Sequence, residues 1–371
     1  MRNPLLDDLG SLPVINEEQA RVYHENIGTL VEQVNKIMAD RNDLNGLIGK
    51  NTLSLMFENH KNHAQFMSNV FFFNNYYFLA NIVPWVYRVY SNQGFSYEYF
   101  PVHLQAWEKA LKDQLPDHVA GPMIKVYDWL IYHHEHFISL AKEAPFLSIE
   151  VDPGWEDIYQ GFLQAVLKGD RKASLEISHK YVASYDDLRK FYVNVIQATM
   201  YKVGEMWERG DISVANEHLA SALVNRVMSM QYLQVMDKVE INKSKVLVTA
   251  AVNEFHEIGG QMVANSLEAD GWDVDYLGAN TPSQDLLDLV WKTQPFILAV
   301  SIAMPFNLLH VQEIIRKIHE WPEARKPKIM LGGLAFSNFP DMPRMMGADD
   351  YARDCLQAVA LARKWWQRGM L

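Results

Sequence analysis

Lys245-Val246-Leu247-Val248-Thr249-Ala250-Ala251-Val252-Asn253-Glu254-Phe255-His256-Glu257-Ile258-Gly259-Gly260 is the stretch that decides the fold. The apolar run from Lys245 to Val252 reads as a buried strand, and Gln261 to Ala269 reads as a helix. A histidine between the two lies at the carboxyl edge of a parallel sheet, where open α/β sheets bind ligands. Glu254, two residues earlier, can hold the imidazole ring, and Gly259 and Gly260 let a bulky group approach the backbone.

Downstream of this loop the pattern alternates. Strand-like runs at Trp272 to Leu277, Phe296 to Met304, Lys328 to Leu331 and Asp350 to Ala352 are interleaved with helix-like runs. The helical runs are Gly260 to Ala269, Pro282 to Lys292, Asn307 to Trp321 and Leu356 to Gln367. Such a succession of βα units predicts a doubly wound, parallel, five-stranded sheet of flavodoxin-like type over residues 244–371.

Upstream the period is helical throughout. Glu156 to Leu167, Arg171 to Ser184, Tyr185 to Arg209 and Val214 to Met236 are amphipathic, with Gly169-Asp170 as a stop and N-cap between the first two. Their short connections predict an antiparallel four-helix bundle over residues 155–240. Residues 1–150 read as a third, all-helical domain. It includes segments Glu17 to Ala39, Asn51 to Tyr90 and Pro122 to Ala141, and breaks near Glu143-Ala144-Pro145 and Val151-Asp152-Pro153-Gly154. The fold class expected is multidomain, α followed by α/β.

Composition narrows the partners. The 371 residues suffice for two or three cores, and a net charge of −11 argues against a broad nucleic-acid surface. The single cysteine, Cys355, forbids an internal disulfide and any cysteine-rich metal site, which suits the cytoplasm. The N-terminus lacks the apolar core of a signal peptide. Phe66 to Tyr90 is the most hydrophobic window, but four asparagines (69, 74, 75 and 81), Pro84 and Arg88 interrupt it. These groups are costly in hydrocarbon, so a soluble protein with no membrane contact is expected.

Two further features share the loop's sheet edge. Ser301 ends the third strand, and Gly332-Gly333 follow the fourth, leaving a slot beside the sheet. Glu254-x-His256-x-x-Gly259, Ser301 and Gly332-Gly333 together resemble the cobalamin-binding fold of methionine synthase. Here the acid is Glu254, and Ala303 stands where that family usually has leucine. The resemblance implies that His256 is the lower axial cobalt ligand and that the nucleotide tail enters the glycine-lined slot. Glu254 and Ser301 are the expected partners of the imidazole's other nitrogen.

In the helical block, Trp207 is followed after nine residues by Glu217-His218. This spacing resembles the signature of light-sensing cobalamin regulators of the CarH type, without their DNA-binding domain. It implies that Trp207, Glu217 and His218 cap the upper corrin face, with His218 an alternative upper ligand. That family carries a histidine directly after the tryptophan, where this chain has Glu208, a poorer partner for cobalt.

The leading expectation is therefore a light-responsive cobalamin sensor using adenosylcobalamin or methylcobalamin. It would be a binding protein rather than an enzyme, signalling through a homo-oligomer or a regulatory protein partner. The alternative is a corrinoid methyl carrier serving a separate methyltransferase. A third reading adds a bilin, haem or other tetrapyrrole, for which the aromatic run Phe66 to Tyr90 offers a surface, although such stripes commonly form cores. His133-His134-x-His136 point around different helix faces and are not expected to bind a metal.

Overall fold

The computed structural model describes residues 5, 8–143, 146, 149–236 and 239–369. Ala144 and Pro145 of the expected linker, and most of residues 1–7, lie outside them. Contacts divide the chain into two compact units, Met1–Phe146 with Glu208–Gly210, and Leu147–Trp207 with Asp211–Leu371.

The first unit is helical: α1 Glu17–Glu25, α2 Ile27–Ala39, α3 Leu44–Ile48, α4 Leu53–Phe73, α5 Tyr76–Asn92, α6 Tyr99–Gln114, α7 Asp117–Tyr132 and α8 His134–Glu143. Segments expected to be continuous break at Asn26, Asn74 and His133. At Asn74 the cause is plain. Its backbone is left-handed (φ 49°), and its amide exchanges hydrogen bonds of 2.7 and 2.8 Å with the main chain of Ile15. From the aromatic run, Phe66, Phe71, Tyr76, Phe78 and Tyr87 are buried, so these rings build the core of this unit.

Buried imidazoles knit the same core. The His60 and His103 rings stack 4.9 Å apart, and Trp107 Nε1 donates to His103 Nε2 at 2.8 Å. Burial pushes His60 and His63 down to about 3, so both are neutral. His134 Nδ1 meets the Tyr87 hydroxyl at 3.0 Å. Among the described residues no group of three or more His, Cys, Asp or Glu is arranged to hold a metal ion. The Glu208 carboxylate is committed within this unit, accepting from Trp85 Nε1 at 2.8 Å and from Arg88 at 3.3 Å.

The second unit begins with the bundle: α9 Glu156–Leu167, α10 Arg171–Tyr181, α11 Tyr185–Phe191, α12 Ala198–Glu208, whose last residue is counted with the first unit, and α13 Val214–Met236. Asp170 and Ser184 cap α10 and α11 by accepting from Ala173 and Asp187 amides. The single helix expected from Tyr185 is interrupted by a π-helical turn, Tyr192–Gln197. Phe162, Phe191, Tyr192, Val195 and Val224 form the bundle core, which is continuous with Met262 and Cys355 of the α/β part.

That part comprises β1 Lys245–Ala250, α14 Ile258–Glu268, β2 Asp273–Tyr276, α15 Ser283–Thr293, β3 Ile297–Ser301, α16 Leu308–His319, β4 Lys328–Gly332, α17 Met342–Met345, β5 Asp350–Ala352 and α18 Cys355–Gly369. All pairings are parallel, in the order β2-β1-β3-β4-β5. Helices cover both faces, so β1, β3 and β4 are buried almost end to end, as their continuous apolar runs require. The order reverses between β1 and β3, which opens a crevice at their carboxyl ends. Ala250, Ser301 and Gly332 lie in register across that edge. No described helix is long and apolar enough to cross a membrane.

Candidate functional site

The loop after β1 rises at this switch point, and two left-handed asparagines shape it. Asn253 (φ 59°) donates its amide to Asn280 Oδ1 at 2.8 Å, and Asn280 (φ 54°) donates its amide to the Glu254 carbonyl at 3.1 Å. The bend drives Glu254 inward, where it is 0% exposed, and turns His256 outward with a side chain 56% exposed.

Glu254 is fully occupied. Its Oε1 accepts from His256 Nδ1 at 2.5 Å, while Oε2 accepts from the amides of Ala303 and Met304 at 2.9 and 2.8 Å and from Asn307 Nδ2 at 3.2 Å. Burial opposes its charge. The bonds from His256 and the Met304 amide outweigh burial and hold the carboxyl below the usual range. The hydrogen bond to Glu254 in turn raises the His256 imidazole above its ordinary value, against burial. A carboxylate only accepts, so Nδ1 carries the proton. In the neutral ring Nε2 then carries the lone pair, with no hydrogen-bond partner among the described residues.

Sequence reasoning located Glu254 but missed its other partners. Asn307 is 1% exposed at the turn after β3, and the Ala303 and Met304 amides are backbone groups without a residue signature. Ser301 ends β3 on the same edge but makes no hydrogen bond to His256 or Glu254. It underlies Gly259 and Gly260, whose added Cβ atoms would meet it at 3.8 and 3.7 Å. Gly332 and Gly333 are required by backbone crowding. A Cβ at Gly333 (φ 106°) would lie 2.2 Å from the Ile302 carbonyl oxygen, and one at Gly332 would lie 2.8 Å from that of Ala352.

The bundle faces this loop. Asn225 of α13 donates to Glu257 Oε1 at 3.1 Å, and the Tyr276 hydroxyl donates to the Glu257 carbonyl at 2.8 Å. The charge of Glu217, near the start of α13, lies close enough to raise the pKa of His256. His218 is 75% exposed, with Nδ1 2.7 Å from Glu217 Oε2, and Ser221 donates to Glu217 Oε1 at 2.7 Å. Trp207 is half-buried at the end of α12. Cys355 is wholly buried under the bundle, and burial pushes its thiol up to about 12.

An imidazole with one nitrogen fixed by a buried carboxylate and the other free of the protein is the donor a first-row transition metal such as cobalt takes. Phe255 beside it is 71% exposed, an apolar ring suited to a flat macrocycle. The residues therefore fit a corrinoid.

Comparison with known proteins agrees with this class of site. Residues 244–360 and 158–231 match two family models, each described as a B12 binding domain. Dimethylamine corrinoid protein 1 of Methanosarcina mazei is 24% identical over 211 residues, 56% of this chain and 96% of the relative. Trimethylamine corrinoid protein 1 of Methanosarcina acetivorans is 23% identical over 210 residues, 56% of this chain and 96% of the relative. The solved Methanosarcina barkeri monomethylamine corrinoid protein shares the fold, at TM-score 0.50 and 18% identity, over 57% of this chain and 99% of that one. Together the matched domains and corrinoid relatives support a cobalamin-binding family, with a helical cap followed by a Rossmann-like sheet. No finding favours the CarH type in particular, and the relatives favour the methyl-carrier alternative over the light sensor.

Proposed function

We propose that this protein is a corrinoid methyl carrier that presents its cofactor to a separate methyltransferase. The observation that carries the reading is His256, held through Nδ1 by the buried Glu254 and open at Nε2. The relatives named as methylamine corrinoid proteins support it. When bound, the corrinoid supplies a cobalt that accepts and donates a methyl group.

The protein's own residues do the rest. His256 would hold the cobalt through Nε2, while Glu254 fixes the tautomer by accepting from Nδ1 and favours positive charge on the ring. Ala303, Met304 and Asn307 keep that carboxylate ionised and immobile. Glu217 and His218 at the start of α13 would contact the bound group from the bundle side, with Trp207 at the end of α12 as a further candidate contact. Asn225 ties that face to the loop through Glu257.

The test is spectroscopic first. Protein loaded with hydroxocobalamin should give a base-off, His-ligated spectrum that the His256→Ala variant lacks. Loaded with methylcobalamin and supplied with candidate methyltransferases, it should then transfer the methyl group to a thiol acceptor. An unchanged spectrum in the variant sinks the ligand assignment. Intact ligation with no transfer to any acceptor sinks the carrier role.

A second reading, the cobalamin photosensor, is favoured by the Glu217-His218 pair beside the loop and by a helical unit preceding both B12-binding segments. Illumination of adenosylcobalamin-loaded protein should then change both its spectrum and its hydrodynamic size. A bilin or haem would add its own absorption band to the purified protein.

A further inference from the structure

Helix α14 carries the His256 loop at its amino end, and eleven residues, about 16 Å, separate that end from the other. Beyond its carboxyl end a groove opens between α11 of the bundle and α18 of the α/β part. Two adjoining hollows, of about 380 and 430 Å³, share Asp186, Arg189 and Arg363 as walls. Lys190 flanks one and Lys243 the other, with Asp270 as a floor. Four cations thus meet two carboxylates, in a chain whose net charge is −11.

The charges are unevenly answered. Asp270, its side chain 3% exposed, draws in Arg189 at 3.6 Å, Lys243 at 3.2 Å and Arg363. Asp186 pairs with Arg189 at 3.1 Å and its charge also reaches Arg363. Arg363 engages Asp270 through Nε and Nη2, one edge of its planar fork, and the side chain remains 54% exposed. Two donors at the same groove, the Tyr185 hydroxyl and Arg189 Nε, are buried and make no hydrogen bond. Buried donors are nearly always satisfied, so this coincidence calls for an acceptor.

The geometry points to a second ligand site here, for a small phosphate-bearing molecule, distinct from the His256 loop. A phosphate group offers only acceptors and brings up to two negative charges, which matches the surplus of cations and the unanswered donors. Its tetrahedral oxygens suit the Tyr185 hydroxyl, the Arg363 guanidinium and the Lys243 ammonium, which line one hollow from different elements. A planar carboxylate answers fewer of them.

Calorimetric titration of the full chain with inorganic phosphate, pyrophosphate and malonate tests this. Both phosphates should bind saturably, more weakly as salt rises, and malonate should bind more weakly than either. Arg363→Gln should weaken pyrophosphate binding roughly tenfold and Tyr185→Phe, which removes one oxygen, roughly threefold. Both variants should keep wild-type cobalamin binding, and His256→Ala should keep pyrophosphate binding. No saturable phosphate binding overturns the site. So do two variants that bind pyrophosphate like the parent, or malonate matching pyrophosphate.

Discussion

The carboxylate of Glu254 and the imidazole of His256 stand 2.5 Å apart, the first wholly buried and the second open to solvent. That asymmetry sets what each can do. Glu254 is caged by two amides and Asn307 and cannot follow the ring, so any movement at the site is His256 leaving a fixed acceptor.

Glu254→Gln retains the shape of this acceptor but removes its charge. The backbone donors of Ala303 and Met304 then face an amide whose nitrogen also donates. Cobalamin affinity should fall about 10- to 100-fold. Equilibrium dialysis with hydroxocobalamin measures it, and unaltered affinity would show that the cage is dispensable.

Gly333→Ala and Gly259→Ala should separate backbone crowding from ligand space. A Cβ at Gly333 meets the Ile302 carbonyl at 2.2 Å with φ at 106°, whereas one at Gly259 has its nearest neighbour at 3.8 Å. The first should cost about 2–4 kcal/mol of stability and the second under about 1 kcal/mol. Urea denaturation midpoints decide it, and similar losses at both positions would contradict the contact geometry.

Asp270 makes stability depend on acid. Burial opposes its charge, but the bonds from Arg363 and Lys243 prevail, and its folded pKa lies below the ordinary value. Its contribution is therefore present above the unfolded-state value of about 3.9 and is lost as pH falls through the lower folded one. Asp270→Asn should be less stable than the parent at pH 7, with the gap narrowing below about pH 4. A gap independent of pH would contradict the assignment.

Cys355 should be inert. Its thiol is buried and pushed up to about 12, so almost no thiolate exists at neutral pH. Maleimide should label the protein only after denaturant is added. Labelling of the native protein would contradict the burial of this thiol.

The sheet was legible because its strands are covered on both faces and read as unbroken apolar runs, from Val246 to Ala250 and from Ile297 to Val300. The histidine loop was legible because a glycine pair follows it directly. The cage was not, since two of its donors are main-chain amides and Asn307 looks like any helix-capping residue. Ser301 lies on the expected edge, beneath Gly259 and Gly260 and without a hydrogen bond to His256, a distinction that depends on side-chain direction. The helix breaks at Asn74 and His133 escaped notice because apolar periodicity continues through them. What marks Asn74 is a hydrogen-bonded partner 59 residues away.

The grip on Glu254 comes from residues 49 to 53 positions further along the chain. Such long-range closure is entropically expensive and is completed only after intervening elements have formed. During synthesis the histidine loop therefore emerges before all the groups that shape it, and the cage around Glu254 closes only once β3 docks beside β1. A corrinoid that needs this histidine held in place would then bind only after β3 has joined the sheet.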